Sequence, residues 1–378
     1  MVAKPRTFRD ERPQELMEWK MPANQSILPA SRMMDSYVEC VIPLSTDEQL
    51  REKYATFYNT LRVGRLLEDL DVLGVYISFK HNTVHYPGQS RSPYVIVTAA
   101  VDQIDIDSRI TTLSIEKDVI LRGHVTWVGR SSIETTMEDA DDIWQGCMIA
   151  KFVMVARDPA NAKAAIIHPL VCKTPAEKLI FQLGQELKGK RLLESCQSLL
   201  KIPPNEEETE LIHNLFLQTI DQSTMSFRNI TKPKGTKWMN DSKLKNLFLC
   251  FPEQRNLYNK VFGGFLMRIA FELAWASQMS HTKSRPVVKS LADISFRKPV
   301  DIGSLLYLSS MIVYTKDYDT QIKVNAEVIN PMTEERSLTN TFQITFTSAE
   351  KVVPIIPASY SEFMMFIDGK RFYNKCNK

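Results

Sequence analysis

The chain reads as an α+β protein in which one unit is used twice, a long buried helix followed by an antiparallel run of strands. Two segments share one order of events. Residues 62–74 and 261–273 each carry Gly near the start and continue with apolar residues spaced at three and four. Each is preceded by Tyr-Asn at the same distance, Tyr58-Asn59 before Gly64 and Tyr258-Asn259 before Gly264. Strand-like sequence follows both, with Val, Ile, Thr and aromatic residues alternating between Gly, Pro and Asp turns. A further match, residues 114–119 with 295–300, is spaced by 181 where the two Gly positions are spaced by 200. The first copy is therefore expected to hold 19 extra residues, mostly within 81–92.

Taken in order, residues 1–34 are expected to form a polar arm and 35–172 the first unit. Its helix rests on Val63, Leu66, Leu67, Leu70, Leu73 and Ile77, which make one apolar stripe. Strands are expected at 94–100, 110–117, 121–128, 132–138 and 146–156. Residues 173–240 read as a helical linker region: a basic amphipathic helix over 175–200, a polar linker over 201–210, and a helix over 211–220. The second unit, 241–350, has its helix on Phe265, Leu266, Ile269, Leu273 and Ala276, with strands at 287–297, 304–314, 320–329 and 337–346. Residues 351–378 extend past it. The simplest burial wraps each sheet around its own helix.

Composition narrows the function. A net charge of +3 on 378 residues, without a basic stripe interleaved with aromatics, argues against nucleic acid. No apolar run approaches a membrane span. The six cysteines, Cys40, Cys147, Cys172, Cys196, Cys250 and Cys376, lack metal-ligand spacing and read as reduced thiols. His81 and His85, four apart, are expected in a loop leading to Pro87-Gly88 rather than on a metal-binding helix face. No Gly-x-Ser-x-Gly nucleophile turn is present. Lys4, Arg6 and Arg9 suggest the remnant of a mitochondrial transit segment, but Asp10, Glu11, Glu15 and Glu18 follow closely, and a polar arm fits equally well.

The stretch Pro252 to Gly264, with Asn256 and then Gly263-Gly264 at the head of the helix, resembles the helix-start signature of hotdog-fold acyl-CoA thioesterases. Residues 35–37, 42–44, 51–54, 64–74, 259–266, 272–276 and 303–306 extend the likeness to the mitochondrial double-hotdog type, from about Asp35 to Phe346. The resemblance implies a tandem hotdog, an acyl-CoA substrate cleaved to fatty acid and CoA, no metal or bound cofactor, a mitochondrial location, and homo-oligomers of double-hotdog units. It also implies a catalytic Asn at one helix head and an acid on the other unit's helix. Asn256 stands 8 before Gly264, where Thr56 stands 8 before Gly64; Asp71 stands 7 after Gly64, where Phe271 stands 7 after Gly264. The matched pair is Asn256 with Asp71, and the opposite pair lacks both groups. Val63-Gly64 also replaces Gly263-Gly264. One competent and one degenerate site are expected.

Thioester hydrolysis needs an activated water and a held oxyanion. The first turn of a helix offers unpaired N–H groups and a positive dipole end, so the Gly264 amide, with that of Phe265, is expected to face the carbonyl. Asp71 would act on water or attack directly, and Asn256 would orient water or thioester. Other readings stand beside these. Asp71 follows Glu68 and Asp69, the more solvent-like positions of a helix start, and Asn256 and Asn259 suit a cap or turn. Glu272 fits either a surface pair with Arg268 or a place near the second site. Gly263 allows close approach of the carbonyl; Arg297, Lys298, Lys117 and Arg285 are candidates for the CoA phosphates; Phe265, Leu266 and Leu67 would line an acyl groove or serve as plain core. The alternatives to hydrolysis are a hotdog hydratase or dehydratase, for which neither helix head carries a His, and a silent acyl-CoA-binding scaffold.

Overall fold

A computed structural model describes residues 22–83, 94–140, 146–158, 163–221, 230–256 and 258–376, together with Phe227. In the first half, strand β1 (Val38–Ile42) precedes helix α1 (Val63–Thr83), and β2 (Val95–Ile106), β3 (Val119–Val128), β4 (Ser132–Ala140) and β5 (Met148–Arg157) follow. Helices α2 (Pro175–Cys196) and α3 (Glu206–Gln218) lead to the second half. There β6 (Leu244–Leu249) precedes α4 (Gly263–Thr282), and β7 (Val287–Phe296), β8 (Leu305–Lys316), β9 (Asp319–Ile329) and β10 (Arg336–Thr347) follow. Helix α5 (Tyr360–Cys376) comes last.

All ten strands join in one antiparallel sheet, in the order β1-β3-β4-β5-β2-β7-β10-β9-β8-β6. The two units meet where β2 pairs β7, with Ala100 opposite Ser295 and Asp105 opposite Ser290. Helices α1 and α4 pack against each other and against their own strands, Leu66, Leu67, Leu70 and Ile77 being almost fully buried. This is the tandem hotdog. Gly74 faces the sheet: a methyl there would lie 3.3 Å from Thr135 Oγ1 and would have to push aside the flexible end of Met154, at 2.5 Å.

The repeat goes further than its helix and strands. Matching bulges fall between Val125 and Trp127 and between Ile312 and Tyr314, 187 apart. Trp127 packs on Phe181 and Gln185 of α2, beside Gly184; Tyr314 packs on Phe366 of α5, and Gly369 abuts the same strand. Helices α2 and α5 are thus counterparts, each laid over its own unit. His81 and His281, 200 apart, are counterparts too: the ring Nε2 of each meets a backbone carbonyl oxygen, of His168 and of Val353.

Several sequence expectations change. Residues 110–117 are not a strand: a 3-10 turn, Ser108–Thr112, carries buried Ile110 and leads to a bend. Alternation there came from a turn whose apolar side faces the core. Thr60 bridges Ser114 as Lys260 bridges Asp301, so Ser114 matches Asp301 at a spacing of 187, not Ser295. Between helix and strand the first copy is longer by 13 residues rather than 19. His81 lies in the last turn of α1, not in a loop, and His85 falls outside the described residues. Glu206–Glu208, expected in a linker, open α3, because Asn205 and Glu208 form a capping box. Edge strands β1 and β6 were not anticipated; each is short and half exposed.

Candidate active site

The buried stripe of α1 carries a carboxylate at the seam. Asp71 is 1% exposed. Its Oδ2 accepts a hydrogen bond from the Gly264 N–H at 2.7 Å, across the two units. Its Oδ1 accepts one from the Thr98 hydroxyl. Burial pushes the carboxyl up from 3.8 to about 6; the Thr98 and Gly264 hydrogen bonds oppose the rise. The pull of a helix start on a carboxylate is at work here, with the acid supplied by the opposite helix.

Thr98 was not foreseen. It sits in β2 where the register with β5 shifts between Thr98 and Ala100, and such a bulge re-aims side chains. Nothing in the local sequence marks it. Gly263 faces the same carboxylate: a methyl there would lie 2.9 Å from Asp71 Oδ2 and 3.2 Å from the Phe296 ring. At Gly264 a methyl would lie 2.7 Å from Glu68 Cα and from Phe262 Cε1. Both glycines are required by close approach, and a Val in place of Gly263 would not fit.

The amide of Gly264, expected to meet a thioester oxygen, is used by Asp71. Asn256 is half-buried in a tight turn. Its side-chain oxygen accepts from the Tyr258 N–H (2.8 Å) and the Lys260 N–H (3.1 Å). No hydrogen bond joins it to Asp71 among the described residues. Thr56 makes the same turn in the first unit, its hydroxyl accepting from the Tyr58 and Thr60 amides at 3.3 Å. What Asn256 has and Thr56 lacks is therefore the side-chain NH2. Asn59 and Asn259 both take φ of 57°, a left-handed turn position that Asn tolerates.

Glu68 and Asp69 are not solvent-like. Glu68 pairs with Arg65 and with Arg268 Nε (2.8 Å). Asp69 accepts from the Tyr54 hydroxyl at 2.8 Å, and burial pushes its carboxyl up to about 6. Glu272 meets Arg268 at 3.6 Å but is held more closely by Arg62, at 2.6 Å. Phe271 is buried on Phe346.

Among the proposed ligand contacts, Arg297 and Lys298 are exposed, directly after Phe296 at the edge of the site. Lys117 is exposed at the bend before β3. Arg285 lies over Tyr58 and donates to Thr60, so it braces the first helix head. Phe265 rests on Phe248 of β6, while Leu266 and Leu67 are buried core. Among the described residues, no cluster of three His, Cys, Asp or Glu is placed to hold a metal, and no helix is long and apolar enough to cross a membrane.

The chain is thus a double-hotdog protein in which a buried carboxylate of one unit meets the helix head of the other. Human mitochondrial acyl-coenzyme A thioesterase 9 is 44% identical over 363 residues, covering 95% of this chain and 82% of that protein. Mouse mitochondrial acyl-coenzyme A thioesterase 10 is 42% identical over the same coverage, and the hop (Humulus lupulus) mitochondrial acyl-coenzyme A thioesterase 4 is 33% identical, covering 90% of this chain and 67% of that one. The chain belongs to this mitochondrial acyl-coenzyme A thioesterase 9/10 family. Among solved structures, an acyl-CoA hydrolase from Staphylococcus aureus is 22% identical with a TM-score of 0.36, covering 37% of this chain and 89% of its own. No protein-family model matches.

Proposed function

We propose that the protein hydrolyses fatty acyl-CoA to free fatty acid and CoA at one competent site, between the head of α4 and Asp71 of α1. The observation that carries this is the buried Asp71 carboxylate held by the Gly264 N–H across the seam. Asp71, raised toward neutrality, takes the proton of a water as its oxygen attacks the thioester carbon. The C–S bond then breaks and the proton passes to the leaving thiolate, which departs as CoA. Gly264 and Thr98 hold the carboxylate. The Phe265 N–H, next in the same first turn, donates to the carbonyl oxygen. The Asn256 NH2 orients the thioester, and Arg297 and Lys298 meet the CoA phosphates. The head of α1 is degenerate, because Thr56 and Phe271 offer neither amide nor acid. Family membership supports a mitochondrial location and assembly of double-hotdog units into homo-oligomers.

A panel of acyl-CoA chain lengths with a thiol-trapping reagent tests the activity. Asn256→Thr tests the amide, because Thr already makes this turn at residue 56. It should lower turnover at least about tenfold, some 1.4 kcal/mol of barrier, with an unchanged melting temperature. Unchanged turnover would confine Asn256 to the turn; absence of thiol release with every acyl-CoA would reject hydrolysis.

A further inference from the structure

The two helix heads differ at the residues that close over them. At the first, Arg62 donates to Glu272 Oε1 through Nε (2.9 Å) and Nη2 (2.6 Å). A methyl on Gly64 would lie 3.2 Å from that same oxygen and 3.1 Å from Arg268 Cγ. The pair is anchored further by Arg268, which reaches both Glu272 and Glu68, and by Arg65 on Glu68. The positions 200 residues away are Phe262 and Val72. Phe262 lies against Gly264, and Val72 is 54% exposed, one residue past Asp71. The arrangement is a pseudo-twofold one: Gly64 approaches residue 268 as Gly264 approaches residue 68. One head is thus crossed by an ion pair; at the other, Phe262 lies on Gly264, and the place of Glu272 is taken by the exposed, apolar Val72 beside Asp71.

We propose that these four residues decide which head admits the acyl-CoA. The Arg62–Glu272 ion pair closes the head of α1. Phe262 and Val72 form the apolar collar through which the acyl group reaches Asp71. This rests on the acyl-CoA reading above. An acyl chain entering at Gly64 must separate a pair of charges already partly withdrawn from water, leaving them unpaired against hydrocarbon. At Gly264 the same chain displaces only water from apolar surface. The choice of head is therefore made before chemistry, by which mouth tolerates an apolar ligand, in addition to the placement of the acid.

Reciprocal exchange tests the proposal on the full chain. Val72→Glu with Phe262→Arg carries the ion pair to the competent head and should lower kcat/KM at least about thirtyfold, through KM more than kcat. Arg62→Phe with Glu272→Val opens the other head. It should leave turnover unchanged and raise the number of non-hydrolysable acyl-CoA thioether molecules bound per chain from one to two, read by isothermal titration. The proposal is overturned if the first exchange stays within about threefold of the parent, or if the second still binds a single thioether. The binding arm does not depend on the first exchange folding. A parent protein that hydrolyses no acyl-CoA would instead reject the thioesterase reading, so the two failures are distinct.

Discussion

Replacing Asp71 by Asn should lower turnover at least about tenfold and stabilise the protein at the same time, and the stabilisation should depend on pH. The carboxyl is pushed from 3.8 up to about 6 by burial. Because its folded value lies above its unfolded one, the folded state binds more protons between about pH 4 and pH 6. The stability contributed by protonated Asp71 is complete below about pH 4 and is lost as pH rises through about 6. A displacement of about two units corresponds to about 3 kcal/mol, the upper limit of what an uncharged side chain recovers. Asn is well suited to the site: its oxygen accepts from the Gly264 N–H, and its NH2 donates to the Thr98 hydroxyl, which turns to accept. Urea or thermal unfolding from pH 4 to pH 8 should show Asp71→Asn equal to the parent at pH 4 and more stable by about 1–3 kcal/mol at pH 8. Over the same range kcat/KM of the parent should rise to a plateau above about pH 6, while the variant lacks this rise and lies at least about tenfold below the plateau. A variant less stable than the parent at pH 8, or a difference independent of pH, would refute the account of a desolvated carboxylate. Full activity would refute its role.

Two further outcomes follow from packing. Gly264→Ala places a methyl against the backbone of Glu68, which has no flexible end to give way; it should cost about 1–3 kcal/mol in unfolding free energy and lower turnover. Arg371 of α5 holds Glu208 of α3 at 2.6 and 2.7 Å and donates to the Gln197 carbonyl. Arg371→Ala should cost about 1–2 kcal/mol and speed proteolysis between α2 and α3, with acyl-CoA turnover retained.

Much of this architecture is local in origin. The three-and-four spacing of Leu66, Leu67, Leu70 and Ile77 specifies a helix with a buried side, and its repetition around Ile269 specifies a second. Comparing the copies places Asp71 opposite Phe271 and Asn256 opposite Thr56; that an Asn and an acid at these positions make a working head is what the family resemblance implies. The counterpart relation of α2 and α5 has no such signal. Their sequences differ, and they are related through what they cover, the bulged strands at Trp127 and Tyr314.

Periodicity states that a residue is buried but not against what. Asp71 has the spacing of a stripe edge, and Glu68 and Asp69 that of a solvated face. Only tertiary packing made all three partly or wholly buried: α4 supplies the partners of Glu68 and Asp71, and Tyr54 of the first unit that of Asp69. The bond from Gly264 to Asp71 joins residues 193 apart, and the Thr98 hydroxyl arrives by a strand bulge. Neither has a signature in a window of sequence, because both are set by how surfaces meet. By itself the sequence determined the repeat, the two glycine heads and the asymmetry of their acids. The tertiary structure decided that the Gly264 amide goes to Asp71, that the amide oxygen of Asn256 is spent on its own turn, and that Arg62 meets Glu272. These are choices among hydrogen-bonding and charged groups, and the partners of Gly264 and Arg62 come from the other half of the chain.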